Sequence, residues 1–458
     1  MDFDQALSYL LSLGHETLTI KLGLRNTERL LSALGNPHKS FSSVQIAGTN
    51  GKGSTAVMLE SICREAGIHV GLFTSPHLIS ITERIRIDGR EISAGGFAQL
   101  TTQVKQAAED LVSQGELQTL PTFFKQVTAI ALLAFRELKV ELAILETGLG
   151  GRLDSTTAAG ARVVAITPVS MDHEEYLGHT LAQIAAEKAA IIRPGVPAII
   201  APQQQEAMDV ILQRCVEVAT KPALIAEVEP PDSSLPGGPA HYCSRFCTAL
   251  PDGRMCVTFE TPTAQYENVC VGLRGRHQIT NAAIAIALAE ALRDQGFKIS
   301  SAAIVSGVET ARHAGRLELW EDNPPILFDG AHNVAAARAL RQYLDEYVER
   351  PTTMIFGAMR DKALVEIAAL LFPIANAIVL TPLDNPRAAT VEELTAAVPP
   401  DFDQTKLYRA KSVADALGIA RQIGNTESLI LVTGSLYLVG AAQESIRNDS
   451  ASLFSSPI

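Results

Sequence analysis

From Gly48 to Thr55 the chain reads Gly-Thr-Asn-Gly-Lys-Gly-Ser-Thr, with glycines and hydroxyls gathered around one lysine. Glycines let the backbone bend so that successive N–H groups face one anion, and a helix starting there adds its positive end. A lysine and a hydroxyl complete a cradle for a triphosphate and its magnesium. The flanks suit such a loop. Val44, Ile46 and Ala47 read as the end of a buried strand, and Met58, Leu59, Ile62, Cys63 and Ala66 recur at helical spacing up to Gly67. The pattern departs from the usual G-x-x-x-x-G-K-[ST], because Gly51 follows Gly48 too soon and Gly53 separates Lys52 from Ser54. An ordinary glycine-rich turn is the competing reading.

Other apolar runs also end in chemistry-bearing residues. "HVGLF" is followed by Thr74-Ser75-Pro76-His77, "LAIL" by Glu146-Thr147-Gly148, and "VVAI" by Thr167-Pro168 and then Asp172-His173. In an open parallel sheet, ligands bind beyond the carboxyl ends of the strands. With the glycine loop, four such ends bring a lysine, hydroxyls, a carboxylate and an imidazole to one rim. Oxygen donors together with phosphates suit magnesium. Taken alone, each residue is weak: an isolated histidine more often packs or caps, and Asp172-His173 could simply start a turn.

Lys188 is unusual in another way. In "TLAQIAAEKAAII" a Thr180–Gln183 capping box opens a helix. Leu181, Ile184, Ala185, Lys188 and Ile192 share one face of it, so an ammonium sits on an apolar stripe. One reading is that the stem snorkels to water. The other is that burial lowers the pKa and leaves a neutral amine, able to add carbon dioxide and become a long carboxylate.

The elements that must position these groups alternate. Strands are expected at Val44–Ala47, His69–Phe73, Leu142–Leu145, Val163–Ile166 and Ala198–Ile200, with helices such as Gln126–Leu138 and Thr180–Ile192 between them. That order predicts an α/β fold with a mainly parallel sheet covered on both faces. Residues 228–270 break the rhythm with a Pro/Gly/Ser loop, "EVEPPDSSLPGGPAHYC", and then alternating stretches that read as an antiparallel segment; His277–Leu292 returns to helix. A second series, with strands at Ile326–Phe328, Thr353–Phe356, Ala377–Leu380 and Leu429–Val432, places a domain boundary near residue 312, giving 1–312 and 313–458.

At 458 residues the chain can form two or three domains. A net charge of −12 argues against nucleic-acid or anionic-membrane partners, so an anionic substrate must meet a local positive site. The six cysteines show no C-x-x-C pair, and Cys243 and Cys247 lack two further zinc ligands nearby. All six are expected to be free thiols in a reducing cytosol. The acidic start "MDFDQALSYLLSLG" lacks the basic region of a secretory signal, and no apolar run is long enough to span a bilayer. A cytoplasmic protein is expected.

The segments "GTNGKGST", "TSPHL" with "ERIRIDG", "ETGLGGRLDST", "MDHEEYLGHTLAQIAAEKA", "GRHQITNAA", "DGAHN" and "VTGSLYLVG" run in one order over nearly the whole chain. Together they resemble the folylpolyglutamate synthase/dihydrofolate synthase family of the Mur ligase superfamily. The resemblance implies an N-terminal P-loop domain, a smaller Rossmann-like C-terminal domain, and ATP-dependent amide formation in the cleft between them. A substrate carboxylate attacks the γ-phosphate to give an acyl phosphate, and the amine of L-glutamate displaces phosphate; such chemistry needs positioning and charge stabilisation more than covalent help from the protein. By this likeness Thr49, Asn50, Gly51, Lys52, Gly53 and Ser54 hold the triphosphate. Ser75 and Glu146 ligate one Mg²⁺ and His173 a second, and Lys188 matches the lysine that is carbamylated in relatives. Gln278 and Asn281 match positions near the adenine. Arg316 reaches the phosphates from the second domain and Asp329 the nucleotide. His332 and Ser435 flank glutamate, and Thr122, Phe124, Arg152 and Asp154 match the pterin region. The partners implied are dihydropteroate or a reduced folate, L-glutamate and ATP, acting on a monomer.

The chain also departs from the family pattern. Lys125 follows "TFF" where an acid is usual, Ala190 replaces a glycine, His313-Ala314 replace Trp-Pro before Gly315-Arg316, and Val334 replaces a proline. Lys125 bears on substrate choice; the other three read as structural. Two rival functions remain. A cell-wall Mur ligase would place a UDP-sugar domain before the P-loop, where this chain has only about fifty residues. A nucleotide-binding protein without ligase activity would have lost metal ligands or second-domain residues, yet Ser75, Glu146, His173, Lys188, Asp329 and His332 are all present.

Overall fold

The computed structural model describes residues 1–14, 23–226 and 241–454. Its apolar runs become the strands of two sheets. The first contains β1 (Ser42–Ala47), β2 (Val70–Phe73), β3 (Ile85–Ile87), β4 (Arg90–Glu91), β5 (Leu142–Glu146), β6 (Val163–Ile166), β7 (Ala198–Ile200), β8 (Ala223–Ile225), β9 (His241–Ala249), β10 (Arg254–Glu260) and β11 (Gln265–Arg274). They lie in the order β11-β10-β9-β8-β7-β6-β1-β5-β2-β3-β4. The run from β9 to β2 is parallel throughout. β3 and β4 close one edge, and β10 and β11 the other, as antiparallel ribbons.

A parallel sheet covered by helices shows water neither face, which is why these strands are apolar at nearly every position. In β5, Leu142 and Ile144 face one core, and Ala143 and Leu145 the opposite one. The first core holds the helices Lys52–Glu65, His277–Asp294 and Ser301–Thr310. The other face carries Ala94–Ser113 and Phe123–Glu137 and, further along, Leu181–Ala189 and Gln205–Glu217.

The second sheet has β12 (Glu318–Trp320), β13 (Ile326–Asp329), β14 (Thr352–Phe356), β15 (Ala377–Leu380), β16 (Leu407–Arg409) and β17 (Leu429–Thr433), in the order β12-β13-β17-β14-β15-β16. Only β12 is antiparallel, and a core lies on each face.

The antiparallel segment expected after residue 228 is β9–β11, while the Pro/Gly/Ser loop before it lies outside the described residues as far as 240. The helix expected at Thr180–Ile192 opens on its capping box but ends at Ala189. Ile191 and Ile192 instead donate to carbonyls three residues back, a tighter turn that leads into Pro194-Gly195. Ala190 caps that helix in a right-handed conformation, so no glycine is required. Val334 takes the first helical position after Asn333, the place where a proline is also tolerated.

The expectation of six free thiols is corrected. Cys256 and Cys270 stand directly opposite one another across β10 and β11 and form a disulfide. Strand register put them together, and a spacing scan for metal or redox motifs does not see register. Cys63, Cys215, Cys243 and Cys247 are free.

Candidate active site

The carboxyl ends of β1, β2, β5 and β6 open into a cavity of about 450 Å³, closed on its far side by residues of the second sheet. β1 pairs with β5 and β6 in register, so Ala47, Glu146 and Ile166 end at one level and the loops that leave them share one rim. After β1 the chain turns through Gly48 to Gly51 into the helix Lys52–Glu65. The loop is pinned by Pro168 beyond β6, whose carbonyl accepts from the N–H groups of Thr49 and Asn50 at 3.0 and 3.1 Å. Thr49 Oγ1 donates to the Ser170 carbonyl, and Asn50 Nδ2 to Ser170 Oγ. Gly51 has φ +86°, and a Cβ there would fall 2.3 Å from Asn281 Oδ1. Only glycine lets the loop approach this asparagine. Asn281 in turn donates to Gln278 Oε1 at 2.8 Å, and Gln278 Nε2 lies 3.4 Å from Ser54 Oγ.

Two lysines face the start of the loop. Lys52 Nζ donates to the Gly48 and Thr49 carbonyls, both at 3.1 Å, and Lys188 Nζ to the Gly48 carbonyl at 2.9 Å. Lys188 is only 4% exposed, which removes the snorkelling alternative. Burial, reinforced by the Lys52 charge, pushes its pKa down to about 7. Burial lowers Lys52 too, against the pull of Glu146 and Asp172.

Glu146 accepts the Ser75 backbone N–H at 3.1 Å. Burial raises its pKa, while Lys52 acts in the opposite sense. Among the described residues no three His, Cys, Asp or Glu side chains converge as a ready-made metal cage. Beside the glycine loop lie the Glu146 carboxylate and the hydroxyls of Ser54 and Ser75, while the other lining carboxylates, Asp154, Asp172 and Asp329, are taken up by protein donors. A short, hard oxygen set of this kind fits a cation that brings phosphate oxygens as its remaining ligands.

His173 caps a short helix in the left-handed conformation, and burial brings its pKa down to about 4. Asp172 beside it is the hub of the cleft. Its Oδ1 accepts from Lys362 Nζ at 2.6 Å, and its Oδ2 from Asn333 Nδ2 at 3.2 Å, with His332 Nε2 at 3.8 Å. Burial opposes ionisation of Asp172, but its cationic neighbours outweigh it and hold the carboxyl far below the usual range. Asn333 also donates to Asn50 Oδ1 at 3.0 Å, so the second sheet's half of the chain touches the glycine loop directly.

Arg316 enters the cavity between the two sheets. Asp329 shapes the backbone around it, accepting from Leu317 N–H at 3.0 Å and Ala331 N–H at 2.9 Å. His332 Nδ1 lies 2.8 Å from the Gly330 carbonyl, and burial lowers its pKa to about 4. Ser435, buried at the start of the last helix, accepts from the Tyr437 N–H. His313 lies with Nδ1 3.1 Å from Ser54 Oγ, and burial, Arg316 and Arg86 keep it well below the ordinary imidazole range.

At the other end of the cavity, Thr122 leads into the helix Phe123–Glu137 and the Phe124 ring packs against Gly148. Lys125 is buried yet lines the cavity. Asp154 also lines it, with both carboxylate oxygens engaged by Leu149 and Thr156. Arg152 is the sequence-derived site residue that the fold does not bring in. Its half-exposed guanidinium pairs with Glu187 at 2.9 Å, away from the cavity wall. Sequence reading missed Lys362, Asn333 and His277 as cleft residues. For Lys362 the signal was slight, a lone lysine in "GAMRDKA" after an apolar run; Asn333 was legible as the helix cap of "DGAHN" but not as a bridge.

Residues 46–289 match the Mur ligase middle domain and residues 315–436 the Mur ligase glutamate ligase domain. The chain is 34% identical over 442 residues to the dihydrofolate synthase/folylpolyglutamate synthase of Bacillus subtilis, covering 95% of this chain and 97% of that one. It is 34% identical to a probable bifunctional folylpolyglutamate synthase/dihydropteroate synthase of Haloferax volcanii, covering 97% of this chain but only 50% of that relative's length. Among solved structures, E. coli FolC in complex with DHPP and ADP superposes with a TM-score of 0.84 at 30% identity, covering 98% of this chain and 99% of that one. A bifunctional folylpolyglutamate synthase/dihydrofolate synthase with Mn, AMPPNP and L-glutamate bound gives 0.81 at 27% identity, over 98% of both chains.

Proposed function

As the chain belongs to the folylpolyglutamate synthase/dihydrofolate synthase family of Mur ligases, which are ATP-dependent glutamate ligases, we propose that it joins L-glutamate to the carboxylate of dihydropteroate, of a reduced folate, or of both. The observation that carries this reading is convergence. Four strand ends of the first sheet and Arg316, His332 and Ser435 of the second half line one cavity.

The backbone from Gly51 to Ser54 and the Lys52 ammonium hold the triphosphate, with Thr49 and Asn50, whose N–H groups are taken by Pro168, shaping the loop and Gln278 and Asn281 toward the base. The acceptor carboxylate attacks the γ-phosphorus and ADP leaves; the glutamate amine then attacks the acyl carbon, loses a proton and expels phosphate. Arg316 spreads the charge of the transferring group from the second half, which begins after residue 312. An arginine acting on a transferring phosphoryl group typically contributes on the order of 10³–10⁵ in rate. Asp329 acts by ordering the backbone around Arg316. His332 and Ser435 flank glutamate, and a neutral His332 does not repel the incoming ammonium. Thr122, Phe124 and Asp154 bound the acceptor, with Phe124 offering its ring to a flat heterocycle. Arg152 is left out of this set because it faces Glu187.

Magnesium, when bound, neutralises the triphosphate and polarises the transferring phosphoryl group. Ser75 and Glu146 would hold one ion and His173 a second. Lys188 would serve the second ion as a carbamate: its neutral amine forms a bond to the carbon of CO₂ and releases a proton, leaving a carboxylate at the end of the side chain. The relative bound with Mn and AMPPNP supports a divalent cation and ATP in this cleft.

The test is ADP release by the purified protein with Mg²⁺-ATP and L-glutamate, with dihydropteroate and tetrahydrofolate offered separately. Turnover with both acceptors establishes a bifunctional enzyme. Turnover with tetrahydrofolate alone restricts it to polyglutamylation and points to Lys125. Release with neither overturns the reading.

A further inference from the structure

One imidazole beside the glycine loop has no part in the acyl-phosphate chemistry. His313 stands between the helix Ser301–Thr310 and Arg316, where the chain leaves the first sheet for the second. Its Nδ1 lies 3.1 Å from Ser54 Oγ. A Cβ on Gly53 would come 2.9 Å from His313 Cε1 and 3.4 Å from Glu146 Oε2. Imidazole and carboxylate thus flank the same glycine, and any side chain there would push them apart.

With the His313 proton on Nε2, the partners of Ser54 direct its hydroxyl proton. Gln278 Nε2, 3.4 Å from the hydroxyl oxygen, can only donate, and so occupies one lone pair. The hydroxyl proton is then available to His313 Nδ1, and the second lone pair stays unused. A ligand whose own proton is held by an outer partner is both oriented and made a better donor, and removal of such a partner typically costs about 10–100-fold in metal affinity.

We propose that His313 is a positioning residue which accepts the Ser54 hydroxyl proton and so presents the Ser54 oxygen to the divalent cation that accompanies ATP. The proposal rests on the reading of the cleft as a metal–ATP site. It assigns His313 no direct bond to the cation. It also gives the second half of the chain a hold on metal loading, because His313 lies three residues before Arg316.

The experiment is Mn²⁺ binding to the protein–AMPPNP complex, followed by electron paramagnetic resonance in the wild type and in His313→Ala, His313→Asn and His313→Gln. Nucleotide affinity is measured alongside in EDTA. His313→Ala should weaken Mn²⁺ binding about 10–100-fold with metal-free nucleotide affinity unchanged. His313→Asn, whose amide oxygen falls near the place of Nδ1, should recover most of the loss, and His313→Gln, whose oxygen reaches further, should not. The Asn and Gln pair decides the matter even if the alanine variant fails to fold. Unchanged Mn²⁺ affinity in His313→Ala overturns the proposal, as does an equal loss in EDTA. A nitrogen hyperfine coupling in the wild type that disappears in His313→Ala would make His313 a ligand itself and overturn the positioning role. Failure of the wild type to bind Mn²⁺ with AMPPNP at all would overturn the metal–ATP reading instead.

Discussion

Lys188 allows a prediction with a magnitude. The side chain is 4% exposed, donates to the Gly48 carbonyl at 2.9 Å and has its pKa pushed down to about 7 from 10.5. That shift disfavours the buried ammonium by roughly 5 kcal/mol relative to water. Because the folded pKa is depressed, the charged form predominates below it and the neutral amine above it. About one tenth of the protein carries a neutral amine at pH 6, half at pH 7 and nine tenths at pH 8. Only the neutral amine adds carbon dioxide, so turnover at limiting bicarbonate should rise close to tenfold from pH 6 to pH 8. It should fall when buffers are purged of carbon dioxide and return on adding bicarbonate. With ¹³C-labelled bicarbonate the wild type should show one carbamate signal that Lys188→Ala lacks. Lys188→Ala should lose turnover by about 10²–10³-fold, keep its affinity for ATP, and regain part of the rate with added acetate or formate. Turnover indifferent to carbon dioxide, with no carbamate signal, refutes the assignment, and so does a Lys188→Ala variant with wild-type rates.

Three further outcomes come from the geometry. Lys362→Met leaves Asp172 buried without its closest cation, and breaking a buried pair costs about 3–5 kcal/mol. Solution scattering should then show a more open particle and kcat/KM for glutamate should drop at least 100-fold, with Lys362→Arg intermediate. Gly51→Ala puts a Cβ 2.3 Å from Asn281 Oδ1 at φ +86°, so calorimetry should find AMPPNP binding weakened by an order of magnitude or more while the melting temperature changes little. Reduction of Cys256–Cys270, which closes a short loop, should lower stability in denaturant titrations by up to about 3 kcal/mol, and a non-reduced peptide map should recover the linked pair.

The parallel strands were legible because continuous apolar runs with polar punctuation have few other solutions, and β1, β5, β6, β14 and β17 lie where those runs do. The rim was legible for the same reason: once the strands are parallel, the loops leaving their carboxyl ends must gather on one side. Lys188 could be flagged because a charge on an apolar stripe breaks the helical pattern. Contacts set by register or by docking of the two halves were not legible. The Cys256–Cys270 disulfide depends on how β10 slides against β11. The Asp172–Lys362 pair joins residues 190 positions apart in the chain. Arg152 stays outside the cavity lining for a related reason. It sits in a motif whose neighbours do reach the cavity, but Glu187, on a helix packed alongside, draws its guanidinium away.

Asn50 is held from both sides, donating to Ser170 and accepting from Asn333, the cap of the helix Val334–Tyr347. A residue of the glycine loop is therefore also part of the seal between the halves of the molecule. Any nucleotide that shifts Asn50 changes how well the second half docks, and thermodynamic reciprocity requires docking to change nucleotide affinity by the same factor. An effect of glutamate on the dissociation constant of ATP, measured without turnover, would thus report how firmly the two halves are seated against each other.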